Sequence, residues 1–317
     1  MIGTPVTRPR VAVVGSLNLD LTLRVARLPG PGETVLSTSP AAVTFGGKGG
    51  NQAAAAAAFG GEVVMIGSVG GDDAARDIRE DLERRGINIS HIRSVGEARS
   101  GSATIAVDEG GDNLILVDPG ANNLLEPGDL PADVLAEADV ILVQLEIPLP
   151  AVAAAVRAAR GTVVLNPAPA TQLQPEVLSR ADVLVPNRTE LAMLAGGDQP
   201  GSLPAVARLA RRVAGEADVV VTLGADGALV VPNRGSPVTH IAAPHVAVVD
   251  ATGAGDCFCG TLAVSLADGI GITAAARLSV AAAGISTTAP GARGRLPARR
   301  EVESLAACLA VRNVEGA

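Results

Sequence analysis

The sequence predicts an α/β protein in which helices cover both faces of a central, mostly parallel sheet, giving three layers. Short runs of β-branched residues alternate with Ala-rich stretches over most of the 317 residues, as in successive βαβ units. The chain contains three Phe and no Tyr or Trp, so its core must consist of Ala, Val, Leu and Ile. Apolar runs of this kind are typical of strands buried on both faces.

The strands and helices are expected in a regular order along the chain. Each predicted strand is a short run rich in Val, Leu or Ile, and most predicted helices are longer and rich in Ala, the residue with the highest helix propensity. The predicted strands cover residues 11–15, 63–67, 140–144, 162–166, 183–185, 219–223 and 228–231. The predicted helices cover residues 51–59, 74–85, 149–160, 189–194, 204–213, 255–266 and 273–287.

Two regions interrupt this alternation. Residues 19–45 contain strand-like pieces without a helix, and residues 100–117 alternate as short strands around a Glu-Gly-Gly-Asp turn at 109–112. Each piece is too short to bury a face alone. Together they are expected to form a small separate sheet over the mouth of the larger sheet, and the alternative is two surface hairpins without a role.

Charge and cysteine content exclude several classes of protein. The formal charge of −8 argues against a non-specific nucleic-acid binder, which needs clustered Lys and Arg. Three cysteines, Cys257, Cys259 and Cys308, are too few for a disulfide framework and indicate a reducing compartment. Residues 1–10 lack the apolar core of a signal peptide, and the Ala run at 53–58 is too short to span a bilayer. We therefore expect a cytoplasmic protein without a membrane or nucleic-acid partner.

The segment Val-Asp-Ala-Thr-Gly-Ala-Gly-Asp-Cys-Phe at 249–258 has the residues needed for phosphoryl transfer. Its glycines allow close approach of the backbone to a ligand, and the helix start offers free N–H donors to an anion. The carboxylate of Asp256 could accept a proton from an attacking hydroxyl. The alternative is an ordinary helix start with an acidic residue in its first turn.

Other glycine-rich motifs do not fit the chain. The dinucleotide fingerprint fails because Phe258 stands where its third glycine belongs, and the Walker A pattern fails because Gly49 follows Lys48. Asn18 and Asp20 follow the first strand, where ligands of open α/β sheets bind. They would point to the same side of an extended segment and suit a polyhydroxylated ligand, although an Asn/Asp turn is the alternative.

Two of these segments together resemble the signatures of the PfkB family, the ribokinase-like carbohydrate kinases. They are Gly-Gly-Lys-Gly-Gly-Asn-Gln at 46–52 and Asp-Ala-Thr-Gly-Ala-Gly-Asp at 250–256. The resemblance extends from about residue 11 to residue 297 in the family's order. Further short matches lie at 15–20, 30–34, 120–122, 144–146, 166–170, 186–190 and 222–224.

The resemblance implies an ATP-dependent sugar kinase with one α/β domain over residues 1–317, a discontinuous β lid at about 19–46 and 98–120, and a homodimer formed through the lids. It implies that Asp256 is the catalytic base and that the N–H groups of Gly253, Ala254 and Gly255 bind the transferring phosphoryl group. The implied sugar contacts are Asn18, Asp20, Gly47, Lys48, Asn51, Glu146 and Asp256. The implied contacts to ATP and its Mg²⁺ are Asn187, Glu190, Thr222, Gly224, Gly227 and Gly255.

Four of these residues also have simpler interpretations. Lys48 could be a solvated lid charge, and Glu146 could be an exposed turn residue. Glu190 could stabilise its own helix dipole, and Asn187 could be an N-cap, a role that is compatible with nucleotide contact.

The resemblance further implies a monovalent cation, usually K⁺, beside the phosphoryl site. The matching positions are Asp250, Thr252, Ser286, Ala289, Gly291 and Arg295. Several of these contacts are expected from backbone carbonyls, so the residue type matters little there. Arg295 departs from the family pattern, because a long cation replaces a small hydroxyl residue.

Ribose is the expected substrate, with deoxyribose or fructose next. A nucleoside pocket commonly uses aromatic faces, and only Phe45 is expected in the lid. A sugar-phosphate kinase needs additional cations, and no Arg lies in a recognised motif for that purpose. A non-catalytic sugar-binding protein is a remote alternative, and a dehydrogenase is disfavoured by the missing fingerprint. Cys257, at a helix start, is expected to be modestly sensitive to oxidation, the alternative being an inert packing residue.

Overall fold

The structure, a computed structural model, describes residues 8–233 and 236–315. Its strands are β1 (Arg10–Val14), β2 (Asn18–Arg24), β3 (Ala42–Gly46), β4 (Glu62–Gly70), β5 (Asn88–Val95), β6 (Ser102–Val107), β7 (Asn113–Asp118), β8 (Val140–Val143), β9 (Thr162–Leu165), β10 (Val183–Leu184), β11 (Asp218–Thr222), β12 (Ala228–Val231), β13 (Thr239–Ile241) and β14 (Val311–Asn313). Its helices are α1 (Lys48–Ala58), α2 (Asp73–Arg84), α3 (Ala132–Glu137), α4 (Leu149–Ala158), α5 (Pro175–Arg180), α6 (Arg188–Ala195), α7 (Leu203–Val213), α8 (Ala254–Ala267), α9 (Ile272–Ser286) and α10 (Arg299–Ala306).

A ten-stranded sheet in the order β14-β13-β12-β11-β10-β9-β8-β1-β4-β5 forms the centre of the molecule. Neighbouring strands are parallel from β11 to β5, and β12, β13 and β14 add an antiparallel edge. One apolar cluster packs α1, α2, α8, α9 and α10 against one face, and a second packs α3 to α7 against the other. This arrangement confirms the predicted three-layer fold with a mostly parallel sheet.

A separate four-stranded sheet has the order β3-β2-β6-β7. It is built from the two regions that interrupt the helix–strand alternation of the sequence, with β2 parallel to β6 and the other pairs antiparallel. Strand β2 begins at Asn18, soon after β1 ends at Val14, and only Gly47 separates the end of β3 from the start of α1. Two short connections therefore join the small sheet to the larger α/β unit.

Each predicted strand and helix has a counterpart within three residues of its predicted ends. Helix α1 begins at Lys48 rather than at residue 51, because the glycines of its first turn have low helix propensity and conceal the start. Strand β5, whose polar residues alternate along an edge of the sheet, was not predicted from the sequence, and neither were the short elements α3, α5, α10, β13 and β14.

The described residues contain no helix that is long and apolar enough to cross a membrane. The expectation about a missing signal peptide concerns residues 1–10, of which residues 1–7 lie outside the described part of the chain.

Candidate active site

The candidate active site is formed where the first turns of α1 and α8 meet, beyond the carboxyl ends of β1, β8 and β9. Asp256, in the first turn of α8, is 7% exposed. Its Oδ2 accepts a hydrogen bond from Asn51 Nδ2 at 3.0 Å, and its Oδ1 accepts one from Gln52 Nε2 at 3.0 Å. Both amides belong to α1, so the neighbouring helix fixes the orientation of the carboxylate.

Charge and burial act on this carboxylate together. Burial raises the pKa of Asp256, while the charge of Lys48 and the two amide hydrogen bonds act in the opposite direction. Burial also opposes the charge on Lys48, but Asp256, Glu146 and Glu190 outweigh it and raise the pKa of Lys48. Lys48 is therefore a half-buried cation facing several carboxylates, and the interpretation as a solvated lid charge does not fit the structure.

The start of α8 presents backbone N–H groups beside Asp256. Gly253 is the N-cap with φ of 74°, and a Cβ there would lie 2.6 Å from the Cβ of Ala292. The amide of Ala254 donates to Ala251 O at 3.2 Å. Within the described chain, the amides of Gly253 and Gly255 have no intrachain acceptor. Of the N–H groups predicted for the anion hole, these two are available to a ligand.

Glycines bring the start of α1 against the end of β1. Gly47, the N-cap of α1, has φ of 77°, and a Cβ there would lie 2.8 Å from Ser16 O. A Cβ on Gly49 would lie 2.6 Å from the carbonyl carbon of Gly15. Larger residues would therefore push the Lys48 segment away from the first strand.

Glu146 joins the start of α1 to the residues that follow β1. Its Oε2 accepts a hydrogen bond from Lys48 N at 2.9 Å and one from Ser16 Oγ at 2.5 Å. The side chain is half-buried, so the interpretation as an exposed turn residue does not fit. Its negative charge lies close enough to raise the pKa values of both Asp256 and Asp20.

Asn18 and Asp20 lie in β2 of the small sheet. Asn18 Oδ1 accepts a hydrogen bond from Asn122 Nδ2 at 2.8 Å, and Asp20 Oδ1 accepts one from Ala103 N at 2.8 Å. Burial raises the pKa of Asp20 to about 6, against the opposing effect of the Ala103 amide. The carboxylate packs against the Cα of Gly46, because a Cβ there would overlap it.

Asn187 and Glu190 form a capping box at the start of α6. Asn187 Oδ1 accepts from Glu190 N at 2.8 Å, and Glu190 Oε2 accepts from Asn187 N at 2.8 Å. Burial raises the pKa of Glu190, which also senses the charges of Lys48 and Asp256. The capping role is therefore real for both residues, and it places Glu190 within electrostatic reach of the candidate site.

The predicted nucleotide positions Thr222, Gly224 and Gly227 follow the end of β11. Thr222 forms an isolated β-bridge with Asn187, which joins this loop to the start of α6. Gly224 and Gly227 have φ of 62° and 91°. A Cβ at Gly227 would overlap Ile241 O, so the turn between β11 and β12 requires glycine there.

The predicted cation positions lie on two segments, one before α8 and one at the end of α9 and after it, and a hydrogen bond between Asp250 and Gly291 joins the two. Asp250 Oδ1 accepts from Thr252 N at 2.8 Å, and its Oδ2 accepts from Gly291 N at 2.8 Å. Burial raises the pKa of Asp250, but the hydrogen bonds from the Thr252 side chain and from these two amides outweigh burial and lower the pKa. Ser286 is buried, and Ala289 is half-buried near the end of α9.

The side chain of Arg295 points to other partners. Its Nη1 donates to Thr288 Oγ1 at 2.8 Å, and its Nη2 forms an ion pair with Glu301. The guanidinium therefore does not occupy the space between Asp250 and Gly291. Only its backbone remains a candidate cation contact.

Cys257 differs from the expectation of a reactive thiol. The side chain is 2% exposed, and burial raises its pKa to about 12. The helix start does not offset the effect of burial on the thiol, so the surroundings favour the alternative that Cys257 is an inert packing residue.

Four polar residues that were not predicted as site residues are connected to the carboxylate of Asp256 by hydrogen bonds: Gln144, Gln52, Asn166 and Arg293. Gln144 Nε2 donates to Gln52 Oε1 at 2.7 Å, and Gln52 Nε2 also donates to Asn166 Oδ1 at 3.1 Å. Arg293 Nε donates to Asn51 Oδ1 at 2.9 Å. Gln52 could have been found as a polar side chain within an Ala-rich helix, and Gln144 and Asn166 as polar residues directly after buried strands. No feature of the sequence around Arg293 indicated its contact.

Comparisons with known proteins agree with this geometry. The model of the pfkB family of carbohydrate kinases matches residues 8–299. Ribokinase from Haemophilus influenzae is 36% identical over 302 residues, covering 93% of this chain and 97% of that protein. Deoxyribokinase from Salmonella typhi is 36% identical over 296 residues, covering 90% of this chain and 95% of that protein.

A solved structure has the same fold over nearly the whole chain. Arabidopsis thaliana ribokinase complexed with ribose and ATP superimposes with a TM-score of 0.87 at 29% identity, covering 95% of this chain and 99% of that one. The family match includes the small sheet, the candidate site and every strand of the large sheet except β14. The chain therefore belongs to the pfkB family of carbohydrate kinases.

Proposed function

We propose that this kinase transfers the γ-phosphoryl group of ATP to the primary hydroxyl of D-ribose and releases D-ribose 5-phosphate. The observation that carries the proposal is the buried carboxylate of Asp256, fixed by two amides at the N-terminus of α8. Next to it, the Gly255 amide has no acceptor in the described chain. The ribokinase and the ribose–ATP complex among the similar proteins support ribose as the acceptor.

In the proposed reaction, the ribose hydroxyl oxygen forms a bond to the γ-phosphorus. The bond from this phosphorus to the bridging oxygen breaks, ADP leaves, and the hydroxyl proton passes to a carboxylate oxygen of Asp256. Because burial raises the pKa of Asp256, its carboxylate is a stronger base than that of an exposed aspartate. Its hydrogen bonds to α1 hold it in one orientation for this transfer.

The negative charge of the transferring group needs donors that are already in place. The free amides of Gly253 and Gly255 supply them, together with the positive end of the dipole of α8. Lys48, whose raised pKa keeps it protonated, adds a full positive charge. We propose Ala254 as a weaker participant, since its amide already donates to Ala251.

Sugar recognition is proposed for the polar groups between the small sheet and α1. Asn18 and Asp20 offer an amide and a carboxylate on one side of β2, which together suit neighbouring hydroxyl groups. Gly47, Lys48, Asn51 and Glu146 would complete the contacts from the start of α1. The small sheet would then act as a lid over the bound sugar.

The nucleotide is proposed to lie along Thr222, Gly224 and Gly227 and to extend its phosphates toward α8. The described residues contain no group of three His, Cys, Asp or Glu side chains placed to hold a metal. This suits Mg²⁺, which usually keeps several waters and binds one or two carboxylates together with substrate phosphates. Glu190, assisted by Asn187, would hold it, and the ion would neutralise phosphate charge. Turnover that persists after chelation of divalent ions would contradict this assignment.

A K⁺ site is proposed between the loops of Asp250 and Gly291. The proposed donors are the carboxylate of Asp250 and backbone carbonyls of Thr252, Ser286, Ala289, Gly291 and Arg295, because oxygen donors of this kind replace the hydration shell of K⁺. The low pKa of Asp250 keeps its charge. Equal turnover with and without K⁺ would exclude the site.

The proposed partner is a second copy of the chain, joined through the small sheet. Val43, Leu21, Thr104 and Leu116 form one row across its four strands. Val43 is 61% exposed and Leu116 is 63% exposed at the two ends of this row. Apolar side chains this exposed on one sheet favour an interface.

A cytoplasmic location is proposed from the cysteines. Cys257, Cys259 and Cys308 are all unpaired, as expected in a reducing compartment. Secretion of the active enzyme into the medium by its native host would contradict the proposal.

Deoxyribose is the second candidate substrate, because the deoxyribokinase and the ribokinase are both 36% identical to this chain over the matched residues. ADP release with ribose, 2-deoxyribose, fructose and a nucleoside distinguishes the candidates. We expect the highest kcat/KM with ribose. A higher kcat/KM with any other acceptor would overturn the assignment of ribose.

The role of Asp256 is tested by Asp256→Asn. The variant removes the base but keeps the shape, so we expect kcat to fall by about 10²- to 10⁴-fold while nucleotide binding persists in calorimetry. Asp268→Asn, at the other end of α8, is the matched control and should leave kcat unchanged. Near-normal turnover of Asp256→Asn would end the proposal that Asp256 is the base.

A further inference from the structure

Arg293 is a buried cation whose three nitrogen atoms reach three different elements. Its side chain is 5% exposed. Nε donates to Asn51 Oδ1 in α1 at 2.9 Å, Nη1 donates to Asp81 Oδ2 in α2 at 2.8 Å, and Nη2 donates to Gly46 O at the end of β3 at 2.9 Å. The guanidinium thus joins the loop after α9 to two helices and to the small sheet.

The bond to Asn51 determines which way its amide faces. The oxygen of the amide accepts from Arg293, so its nitrogen is directed to Asp256 Oδ2 at 3.0 Å. Rotating the amide by half a turn would place its NH₂ group against the guanidinium, which has only donors. Arg293 therefore selects the orientation in which Asn51 donates to Asp256.

The bond to Gly46 supports the opposite side of the same cleft. The carboxylate of Asp20 packs against the Cα of Gly46, and the charge of Arg293 acts on Asp20 to lower its pKa. One guanidinium thus supports a residue that holds Asp256 and a residue that confines Asp20.

Gly50, Asp81 and Phe45 surround the Arg293 side chain closely. A Cβ at Gly50 would overlap the guanidinium. Asp81, whose side chain is 8% exposed, neutralises the charge, as a buried arginine requires. Phe45 stacks beside it, with its ring centroid 5.9 Å from Arg293 Cζ.

We propose that Arg293 is a positioning residue for phosphoryl transfer, which orients Asn51 toward Asp256 and holds the end of β3 at the sugar site. The assignment of the sugar site rests on the proposed function, whereas the orientation of Asn51 does not. A purely structural role would consist of the ion pair with Asp81 alone.

Arg293→Lys separates the two roles. Lysine retains the charge next to Asp81 but lacks the planar fork that bonds Asn51 and Gly46 at once. We expect a folded protein in which kcat falls and the KM for the sugar rises, with kcat/KM lower by about 100-fold, as for a small misplacement of reacting groups. The KM for ATP should be unchanged.

Two further variants complete the test. The double variant Arg293→Gln with Asp81→Asn removes both buried charges of the ion pair and should show the same loss of kcat/KM. It replaces Arg293→Lys as the test if the lysine variant fails to fold. Arg299→Gln is the matched control, because Arg299 likewise bonds a carbonyl (Phe59 O), an aspartate (Asp268) and a phenyl ring (Phe59), but at the far ends of α1 and α8. It should keep the kinetic constants of the unmodified enzyme.

Kinetic constants of Arg293→Lys equal to those of the unmodified enzyme would overturn the proposal, and so would an equal loss in Arg299→Gln. Crystal structures of the Arg293 variants give a readout that does not depend on activity. In these structures the hydrogen bond from Asn51 Nδ2 to Asp256 Oδ2 should be lost. If this bond is unchanged, the proposal is also overturned. Lack of turnover by the unmodified enzyme with ribose would contradict only the proposed substrate.

Discussion

At the scale of single residues, burial and hydrogen bonding move the pKa values of the site carboxylates in different directions. Burial dominates at Asp256, Asp20 and Glu190 and raises their pKa values. At Asp250, hydrogen bonds from the Thr252 side chain and from the amides of Gly291 and Thr252 outweigh burial and lower its pKa. The proposed base and the proposed cation ligand therefore differ in basicity because of their surroundings.

Asp20 gives a pH prediction. Its pKa is raised to about 6, so its protonated fraction increases as the pH falls through 6. The ionised form accepts hydrogen bonds from sugar hydroxyls, so protonation should weaken binding and raise the KM for ribose. One unit below the pKa only about a tenth of the carboxyl is ionised, and we expect KM at pH 5 to be roughly tenfold higher than at neutral pH.

Steady-state kinetics between pH 5 and 8 measure this rise. In Asp20→Asn the residue no longer titrates, so KM should be higher throughout but lose its inflection near pH 6. An inflection that persists in this variant would assign the titration to another group.

Some residues of the site were predictable from the sequence and others were not. Asp256 lies in a glycine-rich segment whose composition already indicates a phosphate site, whereas Lys48 and Asn51 were singled out only by the resemblance to the family. The structure brings the three residues together. Arg293 acts on Asn51 across 242 positions of sequence. Its loop has no composition that distinguishes it from a surface turn, so only the tertiary fold reveals the contact.

At the scale of elements, α8 is flanked by two glycines with similar backbone conformations and different surroundings. Gly253 has φ of 74° and faces Ala292, whereas Gly269 has φ of 77° and faces open space. Alanine at either position adopts the left-handed region at a cost of about 1–2 kcal/mol. Only Gly253→Ala should also displace the amides at the start of the helix.

We therefore expect Gly253→Ala to lower kcat by about 100-fold or more, as when a donor to the transition state is lost, and Gly269→Ala to leave kcat unchanged. Thermal unfolding should report a loss of stability in both variants. Equal kcat values in the two variants would contradict the proposed role of these amides.

The elements themselves were mostly predictable because the buried strands and Ala-rich helices have distinct periods and compositions. The exceptions have physical causes. The strand β5 has a half-exposed, alternating pattern with His and Arg, and α3 and α5 span only six residues each. Segments this short depend on tertiary packing more than on their own propensity.

At the scale of the whole molecule, the exposed apolar side chains at the two ends of the row on the small sheet predict association. Leu116→Glu introduces a charge at one end of this row, and we expect the dimer to dissociate to monomers in sedimentation velocity. Met193→Glu is the control, because Met193 is 59% exposed on α6, away from the small sheet. It should remain dimeric.

A monomeric unmodified protein at micromolar concentration would contradict the interface. If Leu116→Glu is still a dimer, the dimer interface lies on another surface of the protein.

The long sequence separations within the site have a consequence for synthesis of the protein on the ribosome. Asp256 emerges 205 residues after Asn51, and Arg293 emerges 242 residues after it. Until then, the polar amides of α1 lack their carboxylate and the last helices cannot cover their face of the sheet. Nascent chains are therefore inactive and expose apolar surface until Asp256 and the helices α8, α9 and α10 have left the ribosome.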